Sequence, residues 1–273
     1  MNEENLLPNQ APATTPAEAT DRLLRILRLL RRLCPWDKKQ TFDSLRYLSI
    51  EELYELSDAI LDKNYEDIRK ELGDVLLHIF FYAELGREEG RFDYTDVVNG
   101  LCEKLIRRHP HIFADTEAQT DEDVKKNWEA IKLKEGKKHS VLSGVPHSLP
   151  ALVKAYRIQE KARGVGFDWE NAKQVWEKVE EERGELQAEI QAQSTPERIT
   201  EEFGDLLFSL VNYARFIGVN PEDALELANR KFIRRFQYME ERTIMQDKPL
   251  SDMSLDEMNR YWDEAKAAEK AES

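Results

Sequence analysis

At 273 residues the chain is long enough for two domains of ordinary size, each able to bury its own core. A net charge of −14, from 54 acidic against 40 basic residues, argues against general affinity for nucleic-acid backbones or anionic membrane, both of which need basic surface. The two cysteines, Cys34 and Cys102, have no paired spacing, so neither a disulfide framework nor a zinc site is expected, and both suit a reducing cytoplasm.

Residues 1–20 open Met1-Asn2-Glu3-Glu4 and run through Pro8, Pro12 and Pro16; lacking the basic start and apolar stretch of a signal peptide, they are expected to form a disordered tail. A first domain is expected over 21–135. It opens with an amphipathic helix from Arg22 to Leu33, where Leu23, Leu24, Ile26, Leu27, Leu30 and Leu33 alternate with arginines. Cys34-Pro35-Trp36-Asp37 stops that helix, and Thr41 or Asp43 can cap the next, which ends near Asn64. A third helix, from about Glu66 to Glu89, has a nearly continuous apolar middle and is expected at the centre of the bundle. Its most apolar run, Val75 to Ala83, is interrupted by His78 and falls far short of the ~20 residues that span a bilayer. A fourth helix is expected from about Tyr94 to Arg108.

Gly136, Ser140, Ser143, Gly144, Pro146, Ser148 and Pro150 mark a linker over 136–150. A second domain over 151–265 then restarts the series, with helices near 151–163, 171–192, 196–217 and 221–242, a break at Gly164 to Trp169, and a tail over 266–273. No stretch alternates with period two, so the expected fold class is all-α, two tandem helical bundles.

One acidic pattern occurs twice. Glu51-Glu52-Leu53-Tyr54-Glu55 is followed by Glu71-Leu72-Gly73-Asp74, and Glu181-Glu182-Arg183-Gly184-Glu185 by Glu202-Phe203-Gly204-Asp205. At ~100° per residue, Glu51, Glu52 and Glu55 share one side of a helix, and Glu71 and Asp74 stand one turn apart. Like charges stacked in this way repel, and a bound cation removes the repulsion. A solvated acidic surface is the plain alternative. Against it stand the recurrence and the glycines, since Gly73 and Gly204 cost ~1 kcal/mol each inside helices and call for close packing or close approach of a ligand. All-oxygen carboxylate ligands suit Mg²⁺, with Mn²⁺ as a substitute. Di-iron bundles use Glu-x-x-His where this chain has Asp74 and Asp205, and His78 is read as a core histidine or one standing behind the ligands.

Lys104, Arg107 and Arg108 recur as Lys231, Arg234 and Arg235, and Asn127-Trp128 has a loose counterpart in Tyr261-Trp262. Beside a carboxylate-held metal, such a basic trio is what a triphosphate requires. Trp36, Trp128 and Trp169 are expected to pack in a core, and Trp262 to meet a ligand.

Cys34-Pro35-Trp36-Asp37, the tandem acidic pairs, Arg107-Arg108-His109-Pro110-His111-Ile112-Phe113 and Val165-Gly166-Phe167-Asp168-Trp169 together resemble the MazG family of nucleoside triphosphate pyrophosphohydrolases, over about residues 20–265. The resemblance implies an all-α fold, a homodimer, Mg²⁺ dependence, and hydrolysis of NTP or dNTP to the monophosphate and pyrophosphate, as in house-cleaning of nucleotide pools. Glu182, Glu185, Glu202 and Asp205 match the metal ligands of the second half, and Glu52, Glu55, Glu71 and Asp74 those of the first. Lys231, Arg234 and Arg235 match triphosphate contacts and Trp262 a nucleotide contact; Lys178, Lys104, Arg107, Arg108 and Trp128 complete the expected substrate-binding set. Glu51 and Glu181, outside the quartets, are the candidates to orient or deprotonate the attacking water. Two rivals stand beside this reading: one or both halves serve only assembly, or the substrate is restricted as in dUTP-type enzymes.

Overall fold

The computed structural model describes residues 12–114, 120, 131, 140–245 and 249–272. Among them every regular element is helical, as the all-α expectation requires. Two compact units divide the chain, residues 1–118 and 119–273.

In the first unit, helices α1 (Pro16–Leu33), α2 (Phe42–Leu61), α3 (Tyr65–Glu88) and α4 (Tyr94–Arg108) are followed by the short α5 (Pro110–Phe113). Helix α1 begins inside the stretch expected to be a tail. Thr15 accepts the Glu18 N–H while the Glu18 carboxylate returns to the Thr15 N–H, a capping box placed before the apolar periodicity starts at Leu23. Leu27 of α1, Leu45 of α2 and Phe80, Phe81 and Leu85 of α3 form the core, and Phe42, Leu48, Leu77, Tyr82 and Tyr94 pack against it. Burying a side chain such as Phe80 contributes about 2–3 kcal/mol. The expectation that α3 is central holds only for its second half. Leu72, Leu76 and Ile79, spaced one turn apart, are 52%, 43% and 44% exposed, because α1 and α2 cover the other side of the helix.

In the second unit, α6 (Ala151–Arg163), α7 (Ala172–Gln191), α8 (Pro196–Phe216) and α9 (Pro221–Met245) repeat the order of α1 to α4. A further helix, α10 (Leu255–Glu272), runs through the segment expected to be partly a tail and packs on α9. Helices α7 and α8 lie along each other, and α6 rests on both α8 and α9. Valines dominate the interior here, with Val175, Val179 and Val211 buried. Phe203, Leu207 and Leu210 are left open, at the positions that Leu72, Leu76 and Ile79 occupy in the first unit.

The loops after α1 and α6 also correspond. Arg31 of α1 donates to the carbonyls of Asp37 and Gln40 and pairs with Glu88 of α3, which ties the Cys34-Pro35-Trp36-Asp37 turn to the bundle. In the second unit the tie is a side-chain pair instead, with Arg215 of α8 forking onto both oxygens of Asp168.

Candidate active site

Helices α2 and α3 bring Glu52, Glu55 and Glu71 together, with one oxygen of each within 4.8 Å of the others. Helices α7 and α8 do the same with Glu182, Glu185 and Glu202. Each group is therefore three of the expected four ligands. Asp74 and Asp205 stand one helical turn beyond Glu71 and Glu202, close enough for their charges to act on Glu52 and on Glu202 respectively. Glu51 and Glu181 are exposed on the same helices.

The electrostatics record the crowding. Burial, then the charges of Asp74, Glu55, Glu71 and Glu51, push the Glu52 carboxyl above its ordinary range. Burial and then Glu185 do the same to Glu202, against the opposing pull of Arg198. Glu71 is 5% exposed, and its Oε2 is buried without a hydrogen-bond partner. An uncompensated carboxylate oxygen is costly, and a hard divalent cation among three carboxylates would satisfy it. The residues present thus fit a Mg²⁺-type ion.

Tethered cations already touch both groups. Lys70 Nζ lies 2.8 Å from Glu71 Oε1 in the first, with the lysine side chain 67% exposed. In the second, Lys178 Nζ lies 2.8 Å from Glu181 Oε1 and 2.6 Å from the buried Glu182 Oε1. Hydrogen bonds to Glu181 and then Glu182 hold the Lys178 ammonium far above its ordinary range, so it stays charged. The spacing Lys-x-x-Glu-Glu puts all three on one side of α7. Lys70 has no such signal, being adjacent to Glu71 in sequence.

The basic trios lie on other helices than the carboxylates. Lys231, Arg234 and Arg235 lie on α9, where Arg234 and Arg235 both donate to Glu269 of α10. Trp262 of α10 packs on Phe232, centroids 5.2 Å apart, with the Arg235 guanidinium 5.6 Å from its ring. Sequence reasoning missed Glu269, which carries no signal beyond being an acid in a polar helix. Lys104, Arg107 and Arg108 lie on α4, a helix without a fully buried residue. Trp128 falls outside the described residues. Trp36 and Trp169 do not pack in a core; they are 56% and 46% exposed, because the residue each loop turns inward is its aspartate, Asp37 or Asp168. Of the two uses expected for Gly73 and Gly204, packing against a described neighbour is absent: a Cβ on either would meet nothing within 4 Å.

His78 is no member of the acidic group. Its Nδ1 lies 2.9 Å from Ser49 Oγ and its Nε2 3.8 Å from Glu52 Oε1, which puts it behind the carboxylates, as expected. Burial holds its pKa below the ordinary value, with the Asp74 charge opposing.

Comparison with known proteins agrees with this duplicated geometry. The MazG nucleotide pyrophosphohydrolase domain matches residues 40–113 and again 170–239, segments that contain the two acidic groups. A nucleoside triphosphate pyrophosphohydrolase of Escherichia coli is 43% identical over 256 residues, covering 91% of this chain and 97% of that protein. The nucleoside triphosphate pyrophosphohydrolase/pyrophosphatase MazG of Thermotoga maritima is 47% identical over 239 residues, 87% of this chain and 91% of that one. The protein YabN of Bacillus subtilis is 48% identical over 239 residues, which are 87% of this chain but 49% of YabN. Matched twice by the family's domain and aligned with its members nearly end to end, the chain belongs to the MazG nucleotide pyrophosphohydrolase family.

Proposed function

We propose that the protein hydrolyses nucleoside and deoxynucleoside triphosphates to the monophosphate and pyrophosphate, with Mg²⁺ held at each acidic group and Mn²⁺ as a substitute. The observation that carries this is the pair of three-carboxylate groups at equivalent places in two units of one MazG-family chain. Glu52, Glu55 and Glu71, joined by Asp74, would hold the ion in the first half, and Glu182, Glu185 and Glu202, joined by Asp205, in the second. When bound, the ion supplies Lewis-acid polarisation of phosphate oxygens and lowers the pKa of water.

The chain's own residues do the rest. Water oxygen attacks the α-phosphorus, the bridging bond between the α-phosphorus and its β-side oxygen breaks, and pyrophosphate leaves. Glu51 or Glu181, outside the ligand sets, takes the proton of the attacking water. Lys178, which the buried Glu182 holds in place, is positioned to turn its ammonium to a phosphate once the carboxylates have a divalent partner. Lys231, Arg234, Arg235 and Trp262 in the second half, and Lys104, Arg107, Arg108 and Trp128 in the first, are the proposed contacts to the triphosphate and base. Glu269 keeps Arg234 and Arg235 ordered, at the cost of competing with a phosphate for them.

The exposed stripes Leu72, Leu76, Ile79 and Phe203, Leu207, Leu210 support a homodimer, since a second copy would cover them. Light scattering that finds a single chain in solution sinks that part. Among the described residues no helix is long and apolar enough to cross a membrane, and the acidic balance suits a cytoplasmic enzyme acting on nucleotides, not on nucleic-acid polymers. Hydrolysis of a dNTP with Mg²⁺ in ¹⁸O-labelled water tests the chemistry: the label is expected in the monophosphate. Label in pyrophosphate, or orthophosphate as the sole product, refutes attack at the α-phosphorus.

A further inference from the structure

Behind the first acidic group stands a line of polar side chains that the proposed reaction does not use. Ser49 Oγ of α2 lies 2.7 Å from the Tyr82 hydroxyl and 2.9 Å from His78 Nδ1, both on α3, and also 2.9 Å from the Leu45 carbonyl oxygen. The opposite edge of the His78 ring turns Nε2 toward Glu52 Oε1 at 3.8 Å, in surroundings where the two side chains are only 11% and 24% exposed.

Counting protons narrows what this line can be. Ser49 and Tyr82 have one hydroxyl hydrogen each, and a neutral imidazole has one N–H. If Ser49 gives its hydrogen to Leu45, Nδ1 must donate to Ser49, and Nε2 then presents a lone pair to the Glu52 carboxylate. That juxtaposition is repulsive. The other assignment runs in one direction: Tyr82 donates to Ser49, Ser49 donates to Nδ1, and the ring N–H sits on Nε2, aimed at Glu52. Every donor then meets an acceptor, and the carboxylate faces a dipole of the right sign. At 3.8 Å the last step is longer than a hydrogen bond, as such contacts often are before a ligand draws them tight.

The second half has no such line among the described residues. Val179, which is buried, stands where Ser49 does, and Ser209 stands where His78 does, its hydroxyl donating to Leu206 at 2.8 Å. Tyr213, the counterpart of Tyr82, packs against Trp176 with centroids 4.8 Å apart.

We propose that His78 is a positioning residue of the first half alone: through the Tyr82-Ser49-His78 line it orients Glu52 as a metal ligand, so that the two acidic groups bind metal by different means. The inference rests on reading the first acidic group as a metal site. Its test is Mn²⁺ binding to the full chain, followed by electron paramagnetic resonance, in a Glu202→Gln background that weakens the second site. His78→Phe, which keeps the ring volume, is expected to weaken the remaining site about tenfold. His78→Gln, whose amide N–H reaches toward Glu52, is expected to recover most of that loss, a rescue that a merely structural role would not give. Tyr82→Phe, at the far end, is expected to lose a smaller part, and it decides the matter if His78→Phe does not fold. Mn²⁺ affinity equal to the parent's in these variants overturns the positioning role while leaving the metal site standing; a parent that binds no Mn²⁺ overturns both.

Discussion

The two halves carry one carboxylate pattern and support it in opposite ways. In the first, the exposed Lys70 touches Glu71, one oxygen of Glu71 has no partner, and a polar line of Tyr82, Ser49 and His78 backs Glu52. In the second, Lys178 is driven into the group and bridges Glu181 and Glu182, while the backing is apolar, with Val179 buried and Trp176 against Tyr213. The long-range ion pairs differ too: in the first unit the buried acid Glu84 of α3 pairs with Arg28 of α1 and with Arg87, whereas in the second Arg215 of α8 pairs with Asp168 in the loop after α6. A duplicated motif thus keeps its carboxylates together while their electrostatic surroundings diverge.

That contrast can be broken in several places. The largest effect is expected in the cores. Phe80→Ala should cost about 3–5 kcal/mol and unfold the first half selectively, whereas Val175→Ala in the second should cost about 2 kcal/mol. Denaturant unfolding followed by probes in each half checks this, and equal losses would mean that the halves do not differ in packing.

Glu84→Gln comes next, at about 2 kcal/mol for hydrogen bonds to a charged, buried acceptor. Burial alone would raise the Glu84 carboxyl, but the hydrogen bonds and charges of Arg87 and then Arg28 overcome it and hold it below its ordinary 4.5. A depressed folded value means that this stabilisation is fully present above pH 4.5 and is lost as pH falls through the lower folded value. The variant should therefore lose stability near neutral pH and show a shallower acid limb, measured as unfolding midpoints against pH. An acid limb as steep as the parent's would contradict the assignment.

Lys178→Met should tighten Mn²⁺ binding in the second half about tenfold, an effect of ~1.4 kcal/mol, by releasing Glu181 and Glu182. It should raise KM for nucleotide at the same time. Lys70→Met, at an exposed lysine, should do neither, and titrations of the two variants side by side sharpen the contrast. The smallest effect is expected from Glu52→Gln. Removing one of several crowded like charges should stabilise the metal-free protein by about 0.5 kcal/mol, read as a rise in the unfolding midpoint of the first half without metal, with a smaller further rise on adding Mg²⁺ than the parent shows.

Much of this was legible in the chain because helical spacing alone decides which residues share a side. The two acid groups, Lys178 beside Glu181 and Glu182, and the boundaries of α2, α3, α4, α6, α7 and α8 all follow from contacts within one helix or between successive ones. What spacing does not reveal is the register between helices. The meeting of Ser49 with His78, 29 residues apart, depends on how α2 slides along α3. Arg234 reaches Glu269 across 35 residues, on a helix whose apolar signal is too weak to announce it. The start of α1 was missed for another reason: its capping box lies ahead of its first apolar residue, so the cap and not the periodicity sets the boundary. Gly73 and Gly204 pointed to close packing or close approach of a ligand; the space beside both is open among the described residues, which leaves the second of these.

The central claim is that the two acidic groups are where triphosphate is cleaved. Pyrophosphate release from dNTPs in Mg²⁺ by the parent, Glu71→Gln, Glu202→Gln and the double variant, in one assay, tests it most directly. Each single variant should lose the share of turnover that its half supplies, and the double variant should fall by on the order of 10²-fold or more. A double variant that releases pyrophosphate at the parent's rate would contradict the account.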